Sequence, residues 1–257
     1  MEPIFIDKND FYELGPDIYC LNGWEITGET ELHKYVDLSA LIDIMDGHFK
    51  VALRKSFSDR QEKGELANPF CEHMLVAGYK ATKEDSDRFQ KYQELREQAG
   101  ELPTSCFTAN DMELYAMWKA FTTSYTGVRI TTTITNFIQS LLSADNELQL
   151  KYNIFIGPVN YAKCCLGLAG MEYTTYLFNK NPCYQPEKEV RIYFVPKSTK
   201  TDITELKLCI NGERFIKRLT LSPFLPSIMK PWLKKALEKS FPQLAGKIQF
   251  SSIRESI

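Results

Sequence analysis

The residues of this sequence that could do chemistry lie in an alternating stretch between positions 186 and 194. Val190, Ile192 and Phe194 alternate with Glu189, Arg191 and Tyr193, as in a strand with one buried face. Glu187, Glu189 and Arg191 then project from the other face. Two carboxylates two residues apart on one strand face lie about 7 Å apart along it. Neighbouring carboxylates repel, which raises the pKa of one unless a cation such as Arg191 relieves the repulsion. The pattern predicts either a carboxylate site or a solvated face with a local ion pair, and alone it favours the solvated face.

Length and composition limit the class of protein and of partner. The chain has 257 residues, of which 44% are hydrophobic and 25% are charged, and its formal net charge is −2. These values are typical of a soluble globular protein of one large domain or two small ones. A net charge near zero gives no global field toward nucleic acid or an anionic membrane. We therefore expect no membrane partner and disfavour nucleic acid, whereas a small nucleotide and a protein partner both stay open.

Targeting signals and cysteines favour a cytoplasmic location. The N-terminal segment lacks the basic and apolar regions of a signal peptide, and no apolar run reaches the ~18 residues of a membrane span. The seven cysteines are scattered and odd in number, which predicts reduced, mostly buried thiols. With three histidines and no CxxC partner for Cys164 and Cys165, we expect no metal site.

The elements around the charged stretch predict an α+β fold: a single domain with a mixed or antiparallel twisted sheet flanked by helices. We expect residues 1–30 to form an irregular N-terminal arm and residues 31–257 the domain, with 81–102 an exposed helical insertion. Alternating and β-branched segments predict strands at 32–36, 49–53, 103–108, 128–133, 152–156 and 247–250, besides the charged stretch itself.

Helix and turn signals connect these strands. An apolar stripe of Leu38, Leu41, Ile42 and Met45 follows a capping Asp37. A second helix is predicted after a cap-like pair, Asn110 and Glu113, with the stripe Leu114, Met117, Trp118, Phe121 and Tyr125. Further helices are predicted after position 135 and over 223–241, and Asn211-Gly212 predicts a hairpin turn.

Several segments, in order, resemble the bacterial family known as domain of unknown function 2971, from about residue 31 to the end. The matching segments are Leu32-His33-Lys34-Tyr35, Cys106-Phe107-Thr108, Met117-Trp118, Gly127-Val128, Ile248-x-x-Ser251-Ser-Ile253 and the pattern Lys180…Glu187-x-Glu189-x-Arg191. The sequence departs from the family pattern at Arg60, where the family has proline, and at Phe121, where it has tyrosine.

The order of elements also resembles the ADP-ribosyltransferase plan, in which polar strand residues hold NAD and the last glutamate of Glu-x-Glu stabilises a developing oxocarbenium. This resemblance implies that Glu189 is the catalytic carboxylate and that Glu187 orients the acceptor or the ribose. It also implies substrate-binding roles for His33 or Tyr35 on the first strand and for Thr108 or Ser105 at mid-chain.

Three more residues complete the predicted substrate site, and most of the set has a structural alternative. Arg54 could bind a pyrophosphate through its guanidinium fork or simply be exposed. Trp118 could stack on an adenine or nicotinamide ring, although its place on the helix stripe favours the core. Arg191 belongs to the Glu-x-Glu pattern and could equally serve a structural ion pair. Thr108 could be an ordinary strand or cap hydroxyl, and Cys106 an inert buried thiol.

Three functions follow from these observations. The first is a cytoplasmic bacterial or phage-related enzyme of the toxin or defence kind, with NAD as substrate and no cofactor implied, which cleaves the nicotinamide–ribose bond as a transferase or glycohydrolase. The alternative is a non-enzymatic nucleotide- or protein-binding regulatory module, which predicts an occluded pocket and carboxylates paired with structural arginines. A nucleic-acid enzyme ranks third, since it requires a local basic groove beside the same strand.

Overall fold

Backbone pairing between strands that are distant in sequence forms the frame of this molecule. The computed structural model describes residues 6, 8–24, 27–56, 82–83, 87, 90, 94, 97–123, 125–161, 177–180, 182–198 and 205–253. Within these ranges, eleven strands join in one mixed sheet with helices packed against it, which confirms the predicted single-domain α+β class.

The elements agree with most predicted segments. The strands are β1 (Phe11–Gly15), β2 (Ile18–Leu21), β3 (Glu31–Asp37), β4 (His48–Leu53), β5 (Pro103–Thr108), β6 (Gly127–Thr133), β7 (Tyr152–Pro158), β8 (Glu189–Pro196), β9 (Glu205–Cys209), β10 (Arg218–Leu221) and β11 (Ile248–Phe250). The helices are α1 (Leu38–Met45), α2 (Tyr115–Phe121), α3 (Ile134–Leu142), α4 (Leu148–Lys151), α5 (Gly212–Phe215) and α6 (Met229–Ser240). Every helix in the described ranges is too short or too polar to cross a bilayer.

The sheet divides at β5. Its strand order is β1-β2-β7-β8-β5-β3-β6-β10-β11, and β4 branches from β5 and carries β9 on its far edge. One edge of β5 pairs with β8 from Thr104 to Thr108. On the other edge, Thr104 pairs with β4, whereas Thr108 pairs with His33 of β3. β3 and β4 therefore diverge across the middle of β5 and leave a gap at residues 105–107.

The central strand β8 is buried on both faces. Val190, Ile192 and Phe194 enter the main hydrophobic core, in the predicted phase. Tyr193 and Val195 enter a second apolar cluster on the opposite face. The expectation of a solvated strand face is therefore wrong, because this second cluster excludes water from that side of the sheet.

The N-terminal segment supplies much of that second cluster. Residues 11–21 form a hairpin of β1 and β2, and β2 pairs in parallel with β7. Tyr19 stacks on Phe155 of β7 with 5.0 Å between ring centroids. The prediction of an irregular arm is corrected for these residues, since their aromatic side chains form part of the sheet's core.

The predicted insertion at 81–102 lies only partly in the described ranges. Residues 83, 87, 90, 94 and 97 are helical and exposed. The end of the segment is different, because Ala99 and Leu102 are buried in the second cluster. The core therefore uses this end of the segment.

The sequence located the first two predicted helices more accurately than it predicted their capping bonds and buried residues. Asp37 precedes α1 as predicted but makes no capping bond; its Oδ1 accepts hydrogen bonds from the backbone and hydroxyl of Thr123. In α1 the buried residues are Leu41 and Ile44, not Ile42. Helix α2 begins after Leu114, so the pair Asn110 and Glu113 does not cap it. Of its predicted stripe, Phe121 and Tyr125 are exposed.

Asn211-Gly212 is not the predicted hairpin turn. β9 pairs with β4, and β10 pairs with β6 and β11, so the two segments flanking this dipeptide do not pair with each other. Asn211 instead caps the short helix α5, where its side chain accepts a hydrogen bond from the backbone N–H of Arg214. Gly212 is required there because α1 passes directly over it.

We expect Gly212→Ala to lower the free energy of unfolding by about 2 kcal/mol, since overpacking outweighs the gain in helix propensity. Its Cβ would lie 2.6 Å from the carbonyl oxygen of Ile44. Gly15→Ala is the matched control, because its Cβ would meet only Ile18 Cδ1 at 3.9 Å. Urea unfolding compares the two variants, and equal loss of stability in both would contradict the close approach.

Candidate functional site

A pocket of about 540 Å³ opens where β3 and β4 diverge across β5. This volume lies in the range of small-molecule sites. Its walls come from β3, β4, β5 and the start of β8, together with α2 and the segment from Lys180 to Glu187. The gap in the sheet thus places side chains from distant parts of the chain around one cavity.

Most of the predicted site residues converge on this pocket. His33, Tyr35, Thr108, Glu187 and Glu189 all line it. So does Ser105, the alternative to Thr108. Arg54, Trp118 and Arg191 do not line it. His33, Tyr35 and Thr108 lie on the same sheet face as Glu189, because side chains two residues apart on a strand share a face.

Glu189 is the centre of a buried ion cluster. Its Oε1 accepts a hydrogen bond from Arg191 Nε at 2.8 Å, and its Oε2 lies 2.9 Å from Lys180 Nζ. Lys180 Nζ also lies 2.9 Å from Glu187 Oε2, so one ammonium bridges the two carboxylates. The cations of this cluster relieve the carboxylate repulsion anticipated from the sequence.

This cluster keeps Glu189 ionised. Burial alone would raise the pKa of its carboxyl, but Arg191 and Lys180 outweigh burial and lower that pKa to about 2. The Cys106 thiol also hydrogen-bonds to the carboxylate. Burial raises the pKa of Cys106 well above its ordinary value, so this thiol is a protonated donor rather than a nucleophile. This agrees with the interpretation of Cys106 as an inert buried thiol.

Glu187 reaches the cluster from a turn and not from the strand. It ends a short 3-10 helix, Pro182–Glu187, and the following Lys188 has a left-handed φ of 45°. The hydroxyl of Thr108 donates a hydrogen bond to the Glu187 carbonyl oxygen and accepts one from the Asn110 backbone N–H at 3.0 Å. Thr108 therefore fixes the turn that carries Glu187. This is a structural role for its hydroxyl, as in the interpretation of Thr108 as an ordinary strand or cap residue.

His33 is buried and neutral. Its Nδ1 lies 3.0 Å from the hydroxyl oxygen of Thr131, whereas its Nε2 lies 3.8 Å from Asp111 Oδ1, beyond hydrogen-bonding distance. Burial first, then the positive charge of Arg129, lowers the pKa of His33 to about 3. The contact with Asp111 is therefore not an ion pair at neutral pH. Nε2 is buried without a hydrogen-bond partner among the described residues.

The two predicted aromatic residues pack on each other. The ring of Tyr35 meets Trp118 edge to face, with centroids 4.9 Å apart. Trp118 is fully buried, and its Nε1 donates to Glu113 Oε2 at 3.2 Å. Trp118 therefore supports the pocket wall through Tyr35 instead of contacting the cavity itself.

The two predicted arginines are buried beside the pocket. Arg191 Nη1 donates to the carbonyl oxygen of Leu177 at 2.8 Å, so this side chain ties the segment that carries Lys180 to the sheet. Arg54 is only 4% exposed, which contradicts its exposed alternative. Its charge acts on Tyr193 on the second apolar face. Neither arginine is placed to bind a ligand in the pocket directly.

Several lining residues escaped the sequence prediction. Lys180 belongs to the Lys…Glu-x-Glu pattern of the family, and that pattern was the sequence signal that could have identified it as a site residue. Lys34 should point away from His33 and Tyr35 by strand alternation, but it lies at the gap, where its long side chain reaches the pocket. Phe121 stood at a position of the family pattern but was assigned only to the helix stripe, and Tyr184 carries no sequence signal that separates it from ordinary aromatic residues.

The pocket holds one fixed, ionised carboxylate, that of Glu189, and most of the side chains around it are neutral or positively charged. Lys34, Lys50 and Lys180 line the pocket against Glu187 and Glu189. An ionised carboxylate in a water-poor site stabilises a positive charge that develops beside it. In the described ranges, no group of three His, Cys, Asp or Glu side chains is arranged to hold a metal ion.

We expect the His33 ring to stay neutral from pH 8 to pH 5. In the unfolded chain this histidine is protonated near pH 6.5, whereas in the folded chain it is protonated only near pH 3. The contribution of His33 therefore lowers the stability of the protein as pH falls from about 6.5 toward 3. NMR titration of the histidine ring protons measures this directly. His33→Gln should remove the non-titrating resonances and His48→Gln, at an exposed position, should leave them. A His33 ring that titrates near pH 6.5 would contradict the buried neutral state.

A second pH dependence is expected from Glu189. Its folded-state pKa of about 2 lies below the ordinary 4.5, so its stabilisation is complete above about pH 5 and is lost as pH falls from 4.5 toward 2. The difference in unfolding free energy between wild type and Glu189→Gln should therefore shrink by roughly 2–3 kcal/mol over that window. Urea unfolding at several pH values measures it. Glu205→Gln, at an exposed strand position outside the cluster, is the matched control.

Comparisons with known proteins supply no relative for this pocket. No family model matches the chain, and no curated protein or solved structure matches it. The resemblances to the domain of unknown function 2971 family and to the ADP-ribosyltransferase plan therefore stay predictions from sequence motifs, and the site is interpreted from its own geometry.

Proposed function

We propose that the pocket binds NAD and that the protein cleaves the bond between nicotinamide and ribose. The observation that carries this proposal is the convergence of His33, Tyr35, Thr108, Glu187 and Glu189 on one cavity. These residues come from three strands and a turn, and they were assigned to one site on motif order alone. A cavity of about 540 Å³ at the division of the sheet supports the proposal, because its volume lies in the range of small-molecule sites.

In the proposed reaction the bond between nicotinamide N1 and ribose C1′ breaks, and nicotinamide leaves with the electron pair. The ribose becomes positively charged at C1′ and O4′ in the transition state, and the Glu189 carboxylate stabilises that charge. A water molecule or an acceptor nucleophile then bonds to C1′ and loses its proton. Glu187, which is half-buried at the turn, lies where it can orient that nucleophile.

Lys180 has a defined role in this proposal. Its ammonium bridges Glu187 and Glu189 at 2.9 Å each, so it offsets part of the negative charge that the reaction needs. Movement of this flexible side chain toward Glu187 would leave Glu189 ionised through Arg191 alone and facing the substrate. The reaction therefore requires displacement of one lysine side chain rather than a change in the backbone.

The second candidate is a nucleotide-binding module without turnover. It is favoured by a specific observation: both oxygens of Glu189 already bond to Lys180 and Arg191. Pairing of this kind is also what a structural ion cluster would show. The open pocket counts against a fully occluded module, so this candidate also needs a small-molecule ligand.

Purified protein incubated with NAD should release nicotinamide, followed by NMR over hours. Glu189→Gln should reduce the rate at least about 100-fold, because the charge that stabilises the transition state is removed. Glu205→Gln is the control and should keep the wild-type rate. Circular dichroism shows whether Glu189→Gln is folded, and Glu187→Gln, which alters a half-buried residue outside the strand, serves as a second variant.

The outcomes separate the two candidates. Nicotinamide release that persists in folded Glu189→Gln would overturn the assigned role of this carboxylate. NAD binding without nicotinamide release would favour the module. Absence of both binding and release would remove NAD as the ligand.

A further inference from the structure

Among the described residues that line the pocket, one lysine makes no direct contact with a carboxylate. Of the three lysines that line it in the part of the chain that the structure describes, Lys50 pairs with Asp43 at 2.6 Å and Lys180 pairs with both site glutamates. Lys34 Nζ instead lies 2.9 Å from the carbonyl oxygen of Cys106 and 3.3 Å from the hydroxyl oxygen of Ser105. Within the described ranges, no carboxylate oxygen lies within 4 Å of this ammonium.

The surroundings of Lys34 make its positive charge energetically costly. Its Nζ lies 5.0 Å from the ring centroid of Phe107, in the gap between β3 and β4. Burial lowers the pKa of Lys34, and the negative charge of Glu189 offsets only part of that effect. An ammonium has three N–H donors, and the two described acceptors use two of them. A half-buried cation without a counter-charge is unfavourable, and an anion bound in the pocket would relieve that cost.

The other charges of the pocket largely cancel. Lys180 and Arg191 balance Glu187 and Glu189, and Asp43 balances Lys50. His33 is neutral, since its pKa is about 3. Among the described residues that line the pocket, Lys34 is therefore the lysine that no carboxylate contacts directly, although the charge of Glu189 acts on it from a distance.

We propose that Lys34 is the anion-binding residue of the pocket and that it binds a phosphate group of the ligand. The inference deepens the proposed function and rests on it for the position of the ligand: a dinucleotide would direct its pyrophosphate to Lys34 and its reacting ribose to Glu189. Inorganic pyrophosphate and mononucleotides share the recognised group.

A structural role for Lys34 makes a different prediction. The carbonyl of Cys106 lies on the part of the β5 edge that lacks a strand partner, and Lys34 serves it as a hydrogen-bond donor. Glutamine at this position can still donate to that carbonyl but carries no charge. Arginine keeps the charge and the donors. Comparison of Lys34→Gln with Lys34→Arg therefore separates anion binding from support of the sheet edge.

The experiment is calorimetric titration of the full chain with sodium pyrophosphate, ADP and adenosine at low ionic strength. Wild type should bind both phosphorylated probes, and Lys34→Gln should weaken them about tenfold or more, as expected for loss of a charge-assisted hydrogen bond. Adenosine affinity should stay the same, and Lys34→Arg should restore most of the phosphate affinity. The control is Lys207→Gln, on the exposed face of β9 and outside the pocket, which should match wild type.

Three results would overturn the inference. These are no binding of pyrophosphate or ADP to wild type at millimolar concentration, equal affinity in folded Lys34→Gln, or an equal loss for adenosine accompanied by a lower thermal midpoint. Its failure is distinguishable from failure of the proposed function. Lys34-dependent pyrophosphate binding without NAD cleavage would sustain the inference alone, whereas NAD cleavage with an unchanged KM in Lys34→Gln would sustain the function alone.

Discussion

The hydrogen-bonding requirement of one strand edge shapes the whole site. Each backbone carbonyl and N–H buried in a sheet needs a partner, and β5 receives its partners on one edge from two strands that diverge. The middle of that edge is left to a side chain, and Lys34 donates to the Cys106 carbonyl. Residues 105–107, beside this gap, line the pocket. The same division of the sheet thus separates the two strands that pair with β5 and leaves the pocket between them.

The second requirement is compensation of buried charge. Glu189 can stay ionised in the interior only because Arg191 and Lys180 contact it. Arg191 extends the effect beyond the carboxylate, since it also bonds to the carbonyl of Leu177, and the Tyr193 hydroxyl donates to the same carbonyl at 2.6 Å. The ion cluster therefore attaches the segment bearing Lys180 to the central strand. Removal of any one charge would disturb both the electrostatics of the pocket and the position of its wall.

The sequence predicted the sheet better than its edges. Alternation located β8 and the phase of Val190 and Ile192, because period-two burial is a local property of a strand. It could not show that the opposite face is buried, since the covering residues come from the N-terminal hairpin and from residues 177–178. Asn211-Gly212 failed as a hairpin signal for a similar reason: the strands on either side find partners distant in sequence.

The site was predictable as a set of strand positions but not as a set of contacts. His33, Tyr35 and Thr108 share a sheet face with Glu189, so alternation and strand order together brought them to one place. The pairing of Glu189 with Lys180, and the passage of Lys34 through the gap, depend on where strands diverge, which no local pattern encodes. Trp118 illustrates the limit, because its contact with Tyr35 makes it a support of the wall rather than a ligand-stacking residue.

The exposure of Glu189 determines what the proposed chemistry requires. The residue is 5% exposed, and Lys180 stands between part of its carboxylate and the Glu187 side of the pocket. Because Lys180 contacts both glutamates, it can leave one and retain the other, so its displacement does not strand a buried charge without a partner. Arg191 has no such freedom, since its guanidinium is fixed by backbone carbonyls as well as by Glu189. A ligand that brings its own positive charge to Glu189 and its negative charge to Lys34 would compete with Lys180 alone. In the proposed reaction it is therefore Lys180, and not Arg191, that has to move.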